Sequence, residues 1–557
     1  MVNTVLQHLQ DEGIFVEAAC GGAGTCGKCV VSVNGVPCYA CQTEYNTNMD
    51  IRTVGDKPSE FSVIGMNSGS VAGSGIHENS KEKNFKAGSK YGIAIDIGTT
   101  TIAFVVVDIE SQKPVFSHGI INSQRALGFD VISRIKAADE GKLDILNKNI
   151  VADITQGILY ILESMRNNVD GVASTDGVAS TDGVANEKCG ISGESINKIV
   201  IAGNTTMLHI LLKEDCHSLG QYPFTPVFID RQTRKFEEIF CTEVLDDQNK
   251  STSKLMHMGL MPSCEVHLLP GISTYVGADV VAGIFYGYSL MGDTSDHETD
   301  VTCDHETDNA CILIDLGTNG EIALFSKDEV VSTATAAGPA FEAGNIFCGT
   351  GSIPGAISGA VYCPETKTFE CTTIQNEPPV GLCGSGVLDV AAQLVLHEII
   401  DEAGGMDDDV IIVNSMRNSS GRAENISKNQ DGSKPVIFTP KDVRELQLAK
   451  SAVRAGVEIL LEECGKSYDD VSKVYLAGGF GHTLNLESAL ALGILPQEWR
   501  DKISAIGNSS LAGCVRCLVV QDSFDLLSDI TTKAREINLS AHPRFNDLFM
   551  EYMMFEN

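Results

Sequence analysis

Residues 92–108 read Gly92-Ile-Ala-Ile-Asp96-Ile-Gly98-Thr99-Thr100-Thr101-Ile-Ala-Phe-Val-Val-Val-Asp108. One unbroken apolar run enters a small polar knot at Asp96, and a second leaves it. Each apolar run reads as a strand. The segment therefore predicts a β-hairpin with a small, hydroxylated tip. Gly98 would let a phosphate come close to the backbone, and the hydroxyls and amides of Thr99, Thr100 and Thr101 could donate to its oxygens. Asp96, at the strand end, is a hard oxygen ligand suited to Mg²⁺ held through water.

The pattern recurs at Cys311-Ile-Leu-Ile-Asp315-Leu-Gly317-Thr318-Asn319-Gly320-Glu321. Each copy is followed later by another apolar strand and a small-residue turn, Ala202-Gly203-Asn204-Thr205-Thr206 after the first and Ala477-Gly478-Gly479-Phe480-Gly481 after the second. A single Asp-x-Gly-Thr can be an ordinary turn, since Asp and Gly are turn formers. Two copies, each paired with the same follow-on element in the same order, indicate an internal duplication. The set resembles the superfamily of acetate kinases, sugar kinases, heat-shock protein 70 and actin. That resemblance implies α/β duplicated actin-like ATPase lobes, with mixed sheets and helices, clasping ATP between two phosphate hairpins. It also implies Mg²⁺ or water at Asp96 and Asp315, and adenosine bordered by Gly478, Gly479 and Phe480. Glu321 and Glu342 are weaker candidates for orienting water, with a surface or supporting carboxylate as the plainer reading.

A different chemistry sits at the amino end. Cys20-Gly-Gly-Ala-Gly-Thr-Cys26-Gly-Lys-Cys29 is followed by Cys38 and Cys41, giving C-x5-C-x2-C-x11-C when Cys41 closes the set. Four thiolates suit a 2Fe–2S cluster, and the glycines let a loop curl around it and aim amides at its sulfurs. Cys38 competes for the fourth position, and four thiolates are also legitimate zinc ligands. Gly22-x-Gly24-x-x-Gly27 matches a dinucleotide fingerprint, but it has no strand before it and no helix after it. Val5-Leu6-Gln7-His8-Leu9 reads as a helix just ahead of the cysteine loop.

The whole chain has 557 residues, 40 Lys+Arg against 74 Asp+Glu, a net charge of −34, and 18 Cys. Such acidity argues against nucleic acid and anionic membranes as partners, since both need clustered cations. With no basic, apolar leader and no apolar run near ~20 residues, the expectation is a cytoplasmic protein. Thiols gathered in a reducing compartment suggest metal rather than disulfides. Composition sets off a Cys-rich module (1–54), a Gly/Ser-rich flexible linker (55–90) and an acidic low-complexity loop (291–309), and the resemblance makes 91–290 a first ATPase lobe and 310–557 a second. Residues 171–185, a tandem GVASTD repeat, and 414–434 read as surface loops. The duplicated DHETD tract at 296–308 gathers carboxylates around His297, Cys303 and His305 and reads as a solvated acidic loop, with a metal site as the sharper alternative. Lys450 and Arg454, at helical i,i+4 spacing, read as a solvated helix face, and Cys514-x-x-Cys517 as a buried pair.

Further segments narrow the resemblance. They are Asn122-Ser-Gln124-Arg-Ala-Leu-Gly128-Phe-Asp130-Val-Ile-Ser-Arg134, Ala336-Ala-Gly338-Pro339-Ala340-Phe341-Glu342, Gly381-Leu-Cys383-Gly384-Ser385-Gly386, Arg444-Glu-Leu-Gln447 and Gly507-Asn508-Ser509-Ser510-Leu511. With the cysteine module they look like the reductive activators of corrinoid proteins, over residues 1–54 and nearly all of 91–557. The resemblance implies a small α+β plant-type ferredoxin (β-grasp) module, truncated at its amino end, with Cys20, Cys26, Cys29 and Cys41 as ligands, Cys41 being preferred because Ala-Cys-Gln-Thr resembles the family's ending. It implies 2Fe–2S, ATP and Mg²⁺ as cofactors, and Gly384, Ser385 and Gly386 near the nucleotide. Its partners would be a corrinoid protein of a methyltransferase system and a low-potential electron donor, with homodimerisation left open. Relatives commonly carry a small middle domain, and here only 55–90 stands in that place. The implied activity is ATP-dependent reduction of Co(II) to Co(I). A plant-type cluster sits near −400 mV. The corrinoid couple lies lower, and a gap of ~200 mV would cost about 4.6 kcal/mol. Two alternatives are an ATP-coupled activator of another low-potential enzyme, of the dehydratase-activator type, and a redox adaptor gated by ATP.

Overall fold

The computed structural model describes residues 4–11, 16, 29–34, 36–47, 49–53, 89–128, 130–167, 195–241, 255, 260–291, 310–317, 319–414, 435–478 and 484–555. Most of the linker, the tandem repeat, the acidic duplication and nearly all of 414–434 lie outside the described residues.

The amino-terminal module opens with the helix Val5–Asp11, as its apolar spacing predicts. Three short antiparallel strands follow, β1 (Val30–Val33), β2 (Val36–Tyr39) and β3 (Ile51–Thr53), in the order β2-β1-β3. Val31 and Val33 alternate inward along β1 and join Val5, Leu6, Leu9, Val16, Cys29 and Ala40 in a small core.

Contacts divide the chain into two compact units, Met1–Cys303 with Asn508–Lys533, and Asp304–Gly507 with Ala534–Asn557. In the first, six strands form one sheet: β4 (Tyr91–Ile97), β5 (Thr101–Asp108), β6 (Lys113–Ile121), β7 (Ile196–Gly203), β8 (Gln232–Lys235) and β9 (Glu265–Leu268), ordered β6-β5-β4-β7-β9-β8. β4 pairs antiparallel with β5 and parallel with β7. Ile93, Ile95 and Ile97 of β4 are fully buried, each contributing about 1.5–3 kcal/mol of apolar burial. The period of two along a strand sorts its neighbours. Gly92 lies against Leu518 of the helix Ser509–Val519, whereas Phe104, which pairs with Ile95, fills the space left by Gly157 of the helix Leu143–Asn167. Asp96 shares the parity of Gly92 and so faces the Ser509–Val519 side. That helix and the next, Ser523–Lys533, pack in this unit, although the sequence reading places 310–557 in the second lobe.

The second unit repeats the plan. Its strands are β10 (Ala310–Leu316), β11 (Gly320–Phe325), β12 (Val330–Thr335), then β13 (Ala356–Cys363), β14 (Thr368–Thr373), β15 (Gly381–Leu382), β16 (Val410–Val413), β17 (Val436–Phe438), and finally β18 (Val471–Ala477), β19 (Ile503–Gly507) and β20 (Ala534–Glu536). The main sheet is ordered β19-β18-β10-β11-β12-β20. In both units the first strand pairs antiparallel with the second and parallel with the fourth, the third flanks the second, and a later strand, β9 in the first unit and β19 in the second, pairs parallel with the fourth. The duplicated motif thus belongs to a duplicated sheet. β13–β17 form two extra small sheets inserted after the third strand.

The helix Pro440–Glu463 starts with a Thr439/Asp442 capping box and Pro at its first turn. One expectation fails here. Lys450 and Arg454 are 1% and 6% exposed rather than solvated. Lys450 donates to the Met554 carbonyl at 2.6 Å, and Arg454 reaches Glu458 and Tyr468. The helix is covered on that face by the carboxy-terminal segment, so what reads as a polar stripe is a buried polar seam. Cys514 and Cys517 are buried, as their spacing within an apolar helix suggests. Among the described residues no helix is long and apolar enough to cross a membrane.

Candidate functional site

In the first unit the site grows from the end of β4. Its tip residues Gly98, Thr99 and Thr100 join β4 to β5, as the sequence predicts, while Thr101 already belongs to β5. Asn508 Nδ2 and Ser510 Oγ each donate to the Asp96 carboxylate at 2.7 Å. Asn508 also caps its helix by accepting from Leu511 N at 2.7 Å. Burial raises the Asp96 pKa, and the bonds from Ser510 and Asn508 oppose that rise. Asn204 caps the helix Thr205–Leu212 through Met207 N. Asp279, in the first turn of the helix Ala278–Met291, is pushed up to about 7, chiefly by burial and then by the charge of Asp96. Gly277 just before it leaves no room for a Cβ, which would stand 2.7 Å from Asn204 Cα and 2.8 Å from Thr205 N. Two capped helix starts and a third helix start therefore meet at one strand end, with two partly buried carboxylates among them. Helix starts concentrate N–H donors, which suits phosphate.

The tip is held from behind. Asn122 Nδ2 donates to the Gly98 carbonyl at 2.9 Å, Asn122 N to the Thr100 carbonyl at 3.0 Å, and the Arg134 guanidinium to the Thr99 carbonyl. Arg134 is fully buried and also bonds Gly128 O and Gln124 Oε1.

In the second unit Asp315 lies directly across from Glu321 on β11 and beside Ala477 on β18. Gly478 follows with φ +86°, and a Cβ there would sit 2.6 Å from Asp315 Oδ1. Only glycine holds that conformation and that approach without cost. Gly317 N donates to Asn319 O at 3.0 Å. Glu342, at the end of the turn Pro339–Glu342, places Oε1 4.0 Å from where a Gly317 Cβ would be. Asp315, Gly317, Glu321, Glu342 and Gly478 are thus brought together, with Gly320 opposite Leu316. Gly384, Ser385 and Gly386 start the helix Gly384–Leu396. Ser385 is buried against Cys383, and Gly386 is pressed onto the Ile357 backbone, where a Cβ would clash at 2.1 Å. Thr318, Gly479 and Phe480 lie outside the described residues.

At the amino end, Cys29 is 1% exposed and its Sγ lies 3.2 Å from Cys41 Sγ. That is too long for a disulfide, whose sulfurs stand about 2.05 Å apart. The approach is fixed by the backbone, where Ala40 N donates to Cys29 O at 2.7 Å. A metal with ~2.3 Å sulfur bonds at tetrahedral angles would hold two sulfurs ~3.8 Å apart. The Cys29/Cys41 pair fits such a group after a small opening. Cys38 sits on β2 opposite Val31. Cys20 and Cys26 lie outside the described residues.

The sequence alone assigns no role to Asn122, Arg134, Asn508, Ser510 or Asp279. The Asn-Ser pair at 508–509 ahead of an apolar helix is a cap signature, but which carboxylate it serves depends on tertiary structure.

A family model described as the C-terminal domain of RACo, the ASKHA domain, matches residues 309–557. Another, described as the RACo middle region, matches 91–181 and 176–288. The sequence reading makes that segment the first ATPase lobe and leaves only 55–90 in the place of a middle domain. The corrinoid activation enzyme RamQ of Eubacterium limosum is 30% identical over 490 residues, covering 86% of this chain and 72% of the relative. The [Co(II) methylated amine-specific corrinoid protein] reductase of Methanosarcina barkeri is 23% identical over 488 residues, covering 83% and 76%. A solved structure named as a reductive activator for corrinoid, iron-sulfur protein matches with a TM-score of 0.63 at 23% identity, covering 99% of this chain and 95% of that one, which supports the fold. The chain belongs to the family of reductive activators of corrinoid proteins.

Proposed function

We propose that this protein restores a corrinoid protein to its active state by passing one electron to Co(II), giving Co(I), in a step that depends on ATP. The observation that carries this reading is the combination in one chain of two strand-end carboxylates, Asp96 and Asp315, each at a glycine-tipped hairpin of a duplicated sheet, with a pair of thiols converging at 3.2 Å. The names of the relatives agree with it.

A 2Fe–2S cluster held by Cys20, Cys26, Cys29 and Cys41 would supply a single low-potential electron. Gly98, Thr99, Thr100 and Thr101 in one unit, and Gly317, Thr318, Asn319 and Gly320 in the other, would hold phosphate oxygens through backbone amides and hydroxyls. Gly384, Ser385 and Gly386 would stand near the pocket, and Gly478, Gly479 and Phe480 would border adenosine. Asp96 and Asp315 would face Mg²⁺ or a water, with Glu321 and Glu342 orienting that water. The electron would come from a low-potential donor, and the receiving partner would be the corrinoid protein of a methyltransferase system. The dehydratase-activator alternative gains nothing from Cys514 and Cys517. Both are sealed from solvent, and burial holds both thiols far above their ordinary range, which keeps such sulfurs inert.

The test is anaerobic. The protein, a low-potential reductant and a Co(II) corrinoid protein from the same organism are mixed, and the visible spectrum is recorded with and without Mg-ATP. A Co(I) band that grows only with Mg-ATP supports the proposal. A reducible cluster that yields no Co(I) with any corrinoid partner overturns it in favour of another low-potential acceptor.

A further inference from the structure

We infer that Asn122 and Arg134 are positioning residues of the first hairpin, turning its three tip carbonyls inward so that the following amides form one anion cradle. The inference rests on the nucleotide reading above and deepens it. In a trans peptide the C=O and the next N–H point in opposite directions. The Gly98 carbonyl is taken by Asn122 Nδ2, the Thr99 carbonyl by Arg134, and the Thr100 carbonyl by Asn122 N. The amides of Thr99, Thr100 and Thr101 are thereby aimed away from the body of the protein, the arrangement of successive N–H groups that binds anions.

Both positioning side chains are fully buried and locked to each other. Gln124 N donates to Asn122 Oδ1 at 3.1 Å, Arg134 donates to Gln124 Oε1 at 3.1 Å, and Gln124 Nε2 donates to Leu146 O at 2.9 Å. The Arg134 guanidinium is held by neutral acceptors, the carbonyls of Thr99 and Gly128, Gln124 Oε1 and Met207 Sδ. Burial and the nearby Arg125 lower its pKa to about 9, so at neutral pH it keeps its charge. A positive charge stands directly behind the tip and favours an anion in front of it. The second hairpin is built differently. There Gly317 N donates to Asn319 O within the tip, and the Glu342 carboxylate approaches the glycine. The duplication has therefore left a guanidinium behind one tip and a carboxylate beside the glycine of the other.

The test uses the full chain, with Mg-ATP and adenosine as the two probes, and the variants Arg134→Lys and Asn122→Ala. Asn122→Ala removes only a small side chain and serves if Arg134→Lys does not fold. Affinity for Mg-ATP is expected to fall about ten- to a hundredfold, while adenosine affinity stays within about twofold and hydrogen exchange at residues 98–101 speeds up. Unchanged Mg-ATP affinity overturns the inference. So does an equal loss for both probes, which would mark a merely structural role. If the unaltered protein binds no Mg-ATP, the nucleotide reading itself fails and the inference falls with it.

Discussion

Asn508 Nδ2 donates to Asp96 Oδ2 at 2.7 Å, joining residues more than four hundred positions apart in the chain. The bond ties the start of the helix Ser509–Val519 to the strand end, while Leu518 and Gly513 pack against Gly92 and the Ala282 backbone. Asn508 does two things at once, capping that helix and bonding a partly buried carboxylate. Asn508→Ala removes both, and unfolding by urea should show a loss of about 1–3 kcal/mol. Asn508→Asp keeps the cap but sets a second carboxylate against Asp96. Its loss should be larger at pH 7 than at pH 5, where protonation relieves the repulsion. Equal losses at the two pH values would mean that the two side chains do not meet.

Asp279 gives the first unit a pH dependence of defined sign. Its folded pKa is about 7, raised by burial and then by Asp96, against about 3.9 in an unfolded chain. Between those values the folded state holds a proton that the unfolded state has lost. Stability from this group therefore falls as pH rises from about 4 to about 7. Asp279→Asn removes the titration while keeping an acceptor for Val280 N, which Asp279 now binds at 2.9 Å. Urea midpoints measured across that range should show the variant gaining on the parent as pH rises. Parallel curves would place the raised pKa elsewhere.

The Cys29–Cys41 sulfur contact makes the rival fourth positions, Cys38 and Cys41, separable by experiment. Cys29 Sγ meets Cys41 Sγ, with the Ala40–Cys29 backbone bond holding them in place. Cys41→Ser should abolish the visible absorption of a reconstituted cluster and lower bound iron, whereas Cys38→Ser should keep both. Iron and sulfide per chain, measured after anaerobic reconstitution, decide it. Retention of zinc in place of iron by the unaltered protein would mark the site as structural.

What the sequence discloses follows how local the cause is. The strand–Asp-x-Gly–strand pattern at Asp96 and Asp315 is set by neighbouring residues, so both hairpins and their duplication are legible. The helix at Val5 and the buried pair Cys514/Cys517 are legible through spacing. Lys450 and Arg454 misled because polarity along a helix says nothing of what covers it, and here the carboxy-terminal segment does. The roles of Arg134 and Asn122 are not legible locally, since the carbonyls they bind lie many residues away. The return of 508–533 to the first unit carries no local signal at all.

Gly478 and Gly465 separate backbone strain from contact with Asp315. Both hold positive φ, +86° and +60°, but nothing lies within 4 Å of a Cβ at Gly465, whereas a Cβ at Gly478 meets Asp315 Oδ1 at 2.6 Å and Leu316 O at 2.9 Å. Gly465→Ala should cost about 1–2 kcal/mol, the left-handed penalty alone. Gly478→Ala should cost that and more, because either Asp315 or the β10 backbone must shift. It should also weaken Mg-ATP binding, which Gly465→Ala should leave alone. The two variants are compared by urea unfolding and by nucleotide titration of the full chain. Equal stability losses would show that Asp315 yields freely. Unchanged Mg-ATP affinity in Gly478→Ala would remove this strand end from the nucleotide site.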